Sequence, residues 1–194
     1  MILATERLLL RDFVEDDWPA VLAYQSDPRY LRFYPWTERT AEDVQAFVQT
    51  FLDQQQQQPR CKFQLAVTLR VGGDAASEGR HLIGNCGLRQ DSPDAPQADL
   101  GFELDPAHWG HGYATEAASA LLRFGFEERG LHRIWAHCLA ENTASARVLE
   151  KIGMTCEGRQ RESQWFKGRW WDTLLYAILE QEWRAQTHRR KNHV

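Results

Sequence analysis

This 194-residue chain is poor in three things, and each scarcity closes off a class of function. Long apolar runs are missing. The first residues, MILATERLLLRDF, carry Glu6, Arg7, Arg11 and Asp12, so they read as neither a secretory leader nor a membrane span, and the cytosol is the expected compartment. Close cysteine pairs are missing as well. Cys61, Cys86, Cys138 and Cys156 lie far apart with no CxxC, which argues against zinc, and a chain of this size needs no disulfide staple, so they are expected to be reduced and mostly buried. There is also no basic excess. With 23 Lys and Arg against 27 Asp and Glu, the net charge of -4 speaks against a nucleic-acid module. No repeat or composition shift divides the chain. One domain over residues 1–185 is expected, followed by an unstructured basic tail at 186–194 that contains His188 to Lys191, HRRK.

What the chain does have is clear apolar patterning. Leu8, Leu9 and Leu10 within Arg7 to Phe13 suit a short strand, and Asp16 and Asp17 ahead of Pro19 start a helix carrying Val21, Leu22 and Tyr24. Tyr30 to Thr37, YLRFYPWT, concentrates Tyr30, Phe33, Tyr34 and Trp36, which suit either a cleft wall or a core. Thr40 with Asp43 is a capping pair for a second helix whose stripe is Val44, Phe47, Val48, Phe51 and Leu52. The glutamine tract 54–58 reads as its solvated last turn, without a function. Phe63, Leu65, Val67 and Leu69 alternate as a strand, Val71 to Arg80 is a hairpin loop or a mobile excursion, and His81 to Arg89 returns with Gly84 and Gly87 marking a bulge or a close backbone approach. Leu100 to Leu104, His132 to Cys138 and Asp172 to Leu179 are further strands. Trp165, Trp170, Trp171 and Trp183 near the end suit a wall beside a ligand or a self-association surface.

The organising stretch is Leu100 to Ala118, LGFELDPAHWGHGYATEAA. A strand runs into the turn Gly110, His111, Gly112 and then into a helix with Ala114, Ala117, Ala118, Leu121 and Leu122 on one face, reaching about Glu128. The helix start leaves N–H groups unpaired and adds the positive end of the helix dipole, which suits phosphate, although a tight corner alone would use the same glycines. The intervening helix makes Leu100 to Leu104 and His132 to Cys138 parallel neighbours in a right-handed βαβ unit, with ligand entry at their C-terminal ends. Next comes Glu141 to Gly153, ENTASARVLEKIG, a helix with Asn142 as N-cap and Gly153 past its end. Asn142 and Ser145 share one side of its first turn, where capping alone would also account for both.

The pair ELDPAHWGHGYATEA and ENTASARVLEKIGM, separated by a helix and a strand, resembles the two cofactor-binding motifs of the GNAT acetyltransferase superfamily, and of its Rim-type branch (RimJ, RimL) in particular. The resemblance runs from TERLLLRDF to WWDTLLYAILEQEW. It implies a single α/β domain of the α+β kind, with a mixed, curved sheet of six or seven strands flanked by helices and acetyl-CoA in the gap where two parallel strands splay. It implies that N–H groups of Gly110, His111, Gly112, Tyr113, Ala114 and Thr115 cradle the pyrophosphate, and that Phe102, Glu103 and Leu104 pair with the pantetheine arm. Asn142 would lie near the pantetheine and Ser145 near the thioester sulfur. Trp109 stands where the family usually carries Gln or Arg, which leaves that contact to the main chain. The implied reaction is acetyl transfer to a primary amine: a protein N-terminal α-amine, or a small amine such as an antibiotic, polyamine or amino acid. A CoA-binding regulatory domain without turnover is the alternative. A monomer or homodimer with no nucleic-acid or membrane partner is expected.

An amine attacks a thioester only when neutral, so a proton acceptor is required, directly or through water. Glu103 is the leading candidate, since Phe102 and Leu104 point to the opposite strand face, though a solvent-exposed strand carboxylate would look the same in sequence. A backbone N–H at the end of that strand, near Leu104, is the economical oxyanion donor. For the leaving thiolate Ser145 stands ahead of Tyr176, which matches a tyrosine used in part of the superfamily but reads equally as a core tyrosine of the final strand. His108 and His111 are spaced like metal ligands, but only Glu103, Asp105 and Glu116 lie near and no thiol does, so no metal is expected.

Overall fold

The computed structural model describes residues 1–70 and 81–191, so the loop expected at Val71 to Arg80 lies outside the described residues. Eight strands form one sheet: β1 (Ile2–Ala4), β2 (Leu8–Asp12), β3 (Lys62–Leu69), β4 (Leu82–Arg89), β5 (Gln97–Leu104), β6 (Arg133–Leu139), β7 (Thr155–Phe166) and β8 (Arg169–Leu179). Their order is β1-β2-β3-β4-β5-β6-β8-β7. The count exceeds the expected six or seven because β1 has only three residues and most of β7 is exposed, so neither carries an apolar alternation. The bulge expected around Gly84 falls in the β3–β4 ladder, where the register slips between Val67 and Thr68.

Helices α1 (Trp18–Gln25), α2 (Pro28–Leu31) and α3 (Ala41–Gln56) build one core from Phe13, Val21, Tyr24, Tyr30, Val44 and Val48 against Ala66 and Leu82 of the sheet. α3 starts on the reciprocal cap read from sequence: the Thr40 hydroxyl accepts from the Asp43 N–H at 3.2 Å and the Asp43 carboxylate from the Thr40 N–H at 3.0 Å. Its end departs from expectation. Gln55 turns inward and bonds both the N–H and the carbonyl of Phe13, at 2.8 and 3.2 Å.

α4 (Tyr113–Arg123), continued by a π-helical turn at Phe124–Glu128, and α5 (Thr143–Lys151) supply Leu121, Leu122 and Leu149 to a second core with Leu65, Val67, Leu88 and Leu100. α6 (Glu180–Lys191) corrects the expected tail, because the helix runs on from 186 to Lys191. Trp183 packs on Phe126 at 5.3 Å and Gln186 donates to the Gly153 carbonyl, which ties the first half of the helix down.

Among the described residues β5 and β6 make the sheet's one parallel contact. They pair only over Gln97 to Asp99 and Arg133 to Trp135, and then part, while β6 stays paired with β8 through Leu139. The gap so opened begins at Leu100.

Candidate active site

Beyond Asp99 the β6 side of β5 has no strand paired to it among the described residues. The Asp105 N–H donates to the Ile83 carbonyl at 2.8 Å, so the alternation of the antiparallel β4–β5 ladder turns the N–H and C=O of Phe102 and Leu104 away from β4 and into the gap. The indole N–H of Trp109 folds back onto the Leu104 carbonyl at 2.9 Å. The aromatic residue thus pins the turn to the end of β5. Gly110 and Gly112 adopt φ of +82° and +81°, the left-handed backbone that glycine enters without strain, and Gly112 is the residue ahead of α4.

The turn is braced from behind by the N-terminal segment. Arg7 donates to the His111 carbonyl at 2.9 Å, pairs with Glu116 at 2.7 Å and lies over the Tyr113 ring at 4.8 Å. Glu116 also accepts from the Thr5 hydroxyl at 2.6 Å and the Arg7 N–H at 2.9 Å. Burial alone would push the Glu116 carboxyl up, but these donors and the guanidinium outweigh it and hold the carboxyl below its ordinary value.

Two cavities meet beside this turn. The first, about 310 Å³, is lined by Phe102, Leu104, Gly110, Gly112, Tyr113, Ala114, Thr115, Asn142 and Ser145, every residue the sequence put against the cofactor except His111. His111 stacks instead on Tyr113, with ring centroids 5.6 Å apart. Arg147 and Lys151 add positive charge to the wall. The second cavity, about 340 Å³, lies under α3, and the two share Tyr34, Phe102, Glu103 and Ser145.

Glu103 stands at that junction with five donors on its carboxylate. Tyr24, Gln25 and Asn85 donate to Oε1 at 2.6, 2.9 and 2.5 Å, and Tyr30 and Tyr34 to Oε2 at 2.6 and 3.2 Å. Burial first, and then the Glu103 charge, push all three tyrosine hydroxyls up, so they serve as fixed donors. The aromatic segment 30–37 therefore does both jobs open in the sequence: Tyr30 is core, and Tyr34 is wall to both cavities.

Residues 7–155 match a family model described as an acetyltransferase (GNAT) domain. The chain belongs to the GNAT acetyltransferase family. The N-acetyltransferase YnaD of Bacillus subtilis (strain 168) is 38% identical over 94% of this chain and 99% of its own. A solved GNAT-family acetyltransferase from Bacillus anthracis is 36% identical, with a TM-score of 0.78 and coverage of 94% and 100%. RimL, a ribosomal L7/L12 α-N-protein acetyltransferase solved with coenzyme A, shares the fold at a TM-score of 0.78 and 20% identity, over 92% of this chain and 98% of that one. This GNAT chain is accordingly an acetyl-CoA-dependent N-acetyltransferase.

Within the GNAT site the remaining sequence candidates separate. The side-chain Oδ1 of Asn142 accepts from the Ser145 N–H at 3.1 Å and caps α5, and Asn142 lines the first cavity. Ser145 lines both cavities. Tyr176 lines neither. It is 3% exposed in β8 and its hydroxyl donates to Glu150 at 3.2 Å, with burial, then Cys156 and Glu150, pushing it up to about 12. The cysteines are unpaired, as expected, but only Cys86 and Cys138 are buried, and burial pushes their thiols up to about 12 and about 11. His108 Nδ1 sits 3.5 Å from Asp105, and no His, Cys, Asp and Glu cluster among the described residues suits a metal ion.

Sequence reasoning missed the supports. Arg7, Gln25 and Asn85 carry no local signal of their role. For Arg147 and Lys151 the one clue was their spacing, four residues apart on α5 and five and nine positions past its Asn142 cap.

Proposed function

We propose that this enzyme moves the acetyl group directly from CoA to a primary amine that enters through the cavity under α3. The observation that supports this reading is the meeting of two cavities at Glu103 and Ser145, one backed by the glycine turn and one by the N-terminal helices. The first cavity fits the cofactor. It offers main-chain groups of Phe102 and Leu104 to the pantetheine amides and the start of α4, with Arg147 and Lys151, to the phosphates. Bound there, acetyl-CoA supplies the acyl group and a thiolate leaving group.

The protein's own groups then divide the proton and charge work. Glu103 takes the amine proton at Oε2, where the 3.2 Å Tyr34 contact is the longest of the five and the easiest to exchange for the amine or a water. The Leu104 N–H, turned into the gap, faces the position where negative charge develops on the carbonyl oxygen. Ser145 donates toward the departing sulfur, a role that Tyr176, bonded to Glu150, leaves to it. A cavity of about 340 Å³ suits a small amine best. The N-terminal α-amine expected from the resemblance to the Rim-type branch would have to enter as an extended chain end.

The test is calorimetric titration with acetyl-CoA, then thiol release on the same sample with small amines and N-terminal peptides. Binding with amine-dependent release is expected, with small amines turned over at lower KM than peptides. Binding without release on any acceptor would favour a regulatory CoA-binding domain.

A further inference from the structure

We propose that the acceptor cavity holds a second binding position, built from Asp99 and Gln54, for a positively charged group carried by the acceptor amine; this rests on the acetyl-transfer reading above. On β5 the side chains of Asp99 and Glu103 project from the same face, about 13 Å apart along the strand, with only Gly101 between them. The glycine matters, because a Cβ there would sit 2.6 Å from Arg89 Nη2. The guanidinium occupies that space and binds Asp99 Oδ2 through Nε at 2.8 Å and Nη2 at 2.5 Å, while Nη1 donates to Gln64 at 3.0 Å.

That arrangement leaves two acceptor atoms without donors. Asp99 Oδ1 is buried with no hydrogen-bond partner among the described residues, and so is Gln54 Oε1 in the last turn of α3. Both residues line the cavity that Glu103 closes at its other end. An unpaired buried acceptor is destabilising, so two such atoms in residues that line one cavity favour a ligand that brings donors. The charge balance selects the kind of donor. Arg89 is already engaged by Asp99 and Gln64, and the two carboxylates on this wall outnumber the one guanidinium. An ammonium or guanidinium fits, whereas an anionic acceptor would meet carboxylates at both ends. The acceptor is therefore an amine whose reactive nitrogen reaches Glu103 while a second cation rests on Asp99 and Gln54. A small diamine and the basic side chain of a peptide N-terminus present the same chemistry.

The full chain saturated with CoA would be titrated with α,ω-diaminoalkanes of increasing length and with n-alkylamines of matching length. A parallel arm uses a peptide with lysine at its second residue against its norleucine counterpart. A diamine of fitting length is expected to bind at least tenfold more tightly than its monoamine, or the lysine peptide than its counterpart, and whichever pair shows the gap names the source. Asp99→Asn and Gln54→Leu should each abolish that difference, and Gln54→Glu should widen it. In turnover the loss should fall on KM for the dication rather than on kcat. Equal binding of mono- and dications at every length, or variants that leave the gap intact, would overturn the second position. If Asp99→Asn leaves Arg89 unpaired and fails to fold, the two Gln54 variants carry the test. The two readings fail separately. Turnover of monoamines with no dication advantage sinks the second position alone, and dication binding without thiol release sinks acetyl transfer alone.

Discussion

Glu103 has five hydrogen bonds on two oxygens, more than the roughly four lone-pair sites of a carboxylate, so its acceptor capacity is full. Replacing it by glutamine puts an NH2 group among donors, so Glu103→Gln should lose about 1–3 kcal/mol of stability in urea unfolding. Turnover should fall at least 100-fold, in the range of general-base catalysis, with acetyl-CoA binding retained. Thiol release within threefold of the parent would remove Glu103 from the proton path. Trp109→Phe tests a different idea. Losing the bond to the Leu104 carbonyl, worth about 1 kcal/mol, should raise KM for acetyl-CoA about fivefold with a smaller effect on kcat. An unchanged KM would mean the turn holds its shape without the indole. The position of Glu103 was legible in the strand alternation. Its donors were not, because Tyr24, Gln25, Tyr30, Tyr34 and Asn85 reach it by packing across the sheet, which no local period encodes.

At the scale of elements, the turn before α4 was the most legible part of the chain, since two glycines and an alanine-rich helix start leave few other conformations. What braces it was hidden. Arg7 and Glu116 are more than a hundred residues apart, and each alone reads as an ordinary surface charge. The bracing makes a pH prediction with a definite sign. The Glu116 carboxyl is held below its ordinary 4.5 in the folded chain, so its contribution is fully present above that value and is lost as pH falls through the lowered one. The stability gap between the parent and Glu116→Gln should therefore be flat at neutral pH and close in acid below about 4.5. A gap that instead widens on acidification would contradict the ion pair. The β7–β8 hairpin was the least legible element. Eleven of its twelve β7 residues are exposed or half-buried, so hydrophobic period had little to mark, and the strand is held by its ladder to β8.

Across the whole molecule the sheet separates two cores, one under α1 to α3 and one under α4 and α5, and the site lies where the β5–β6 gap brings their edges together. The βαβ reading located that gap from sequence, but apart from the aromatic segment 30–37 the N-terminal helices carried no sign of a part in the site, because their contribution is a set of hydroxyl and amide tips on otherwise apolar faces. The two sides should respond independently to ligand. Acetyl-CoA at one hundred times its Kd adds about 2.7 kcal/mol to unfolding stability. At about 2–4 °C per kcal/mol for a chain of this size, that is a rise in Tm of roughly 5–11 °C. Glu103→Gln, on the acceptor side, should start from a lower Tm and keep the full rise. Arg7→Ala, behind the glycine turn, should show a smaller rise at the same concentration, since its defect is in Kd. Thermal scans of the three proteins with and without acetyl-CoA decide it: a rise lost in Glu103→Gln and kept in Arg7→Ala would place the cofactor on the wrong side of the sheet gap.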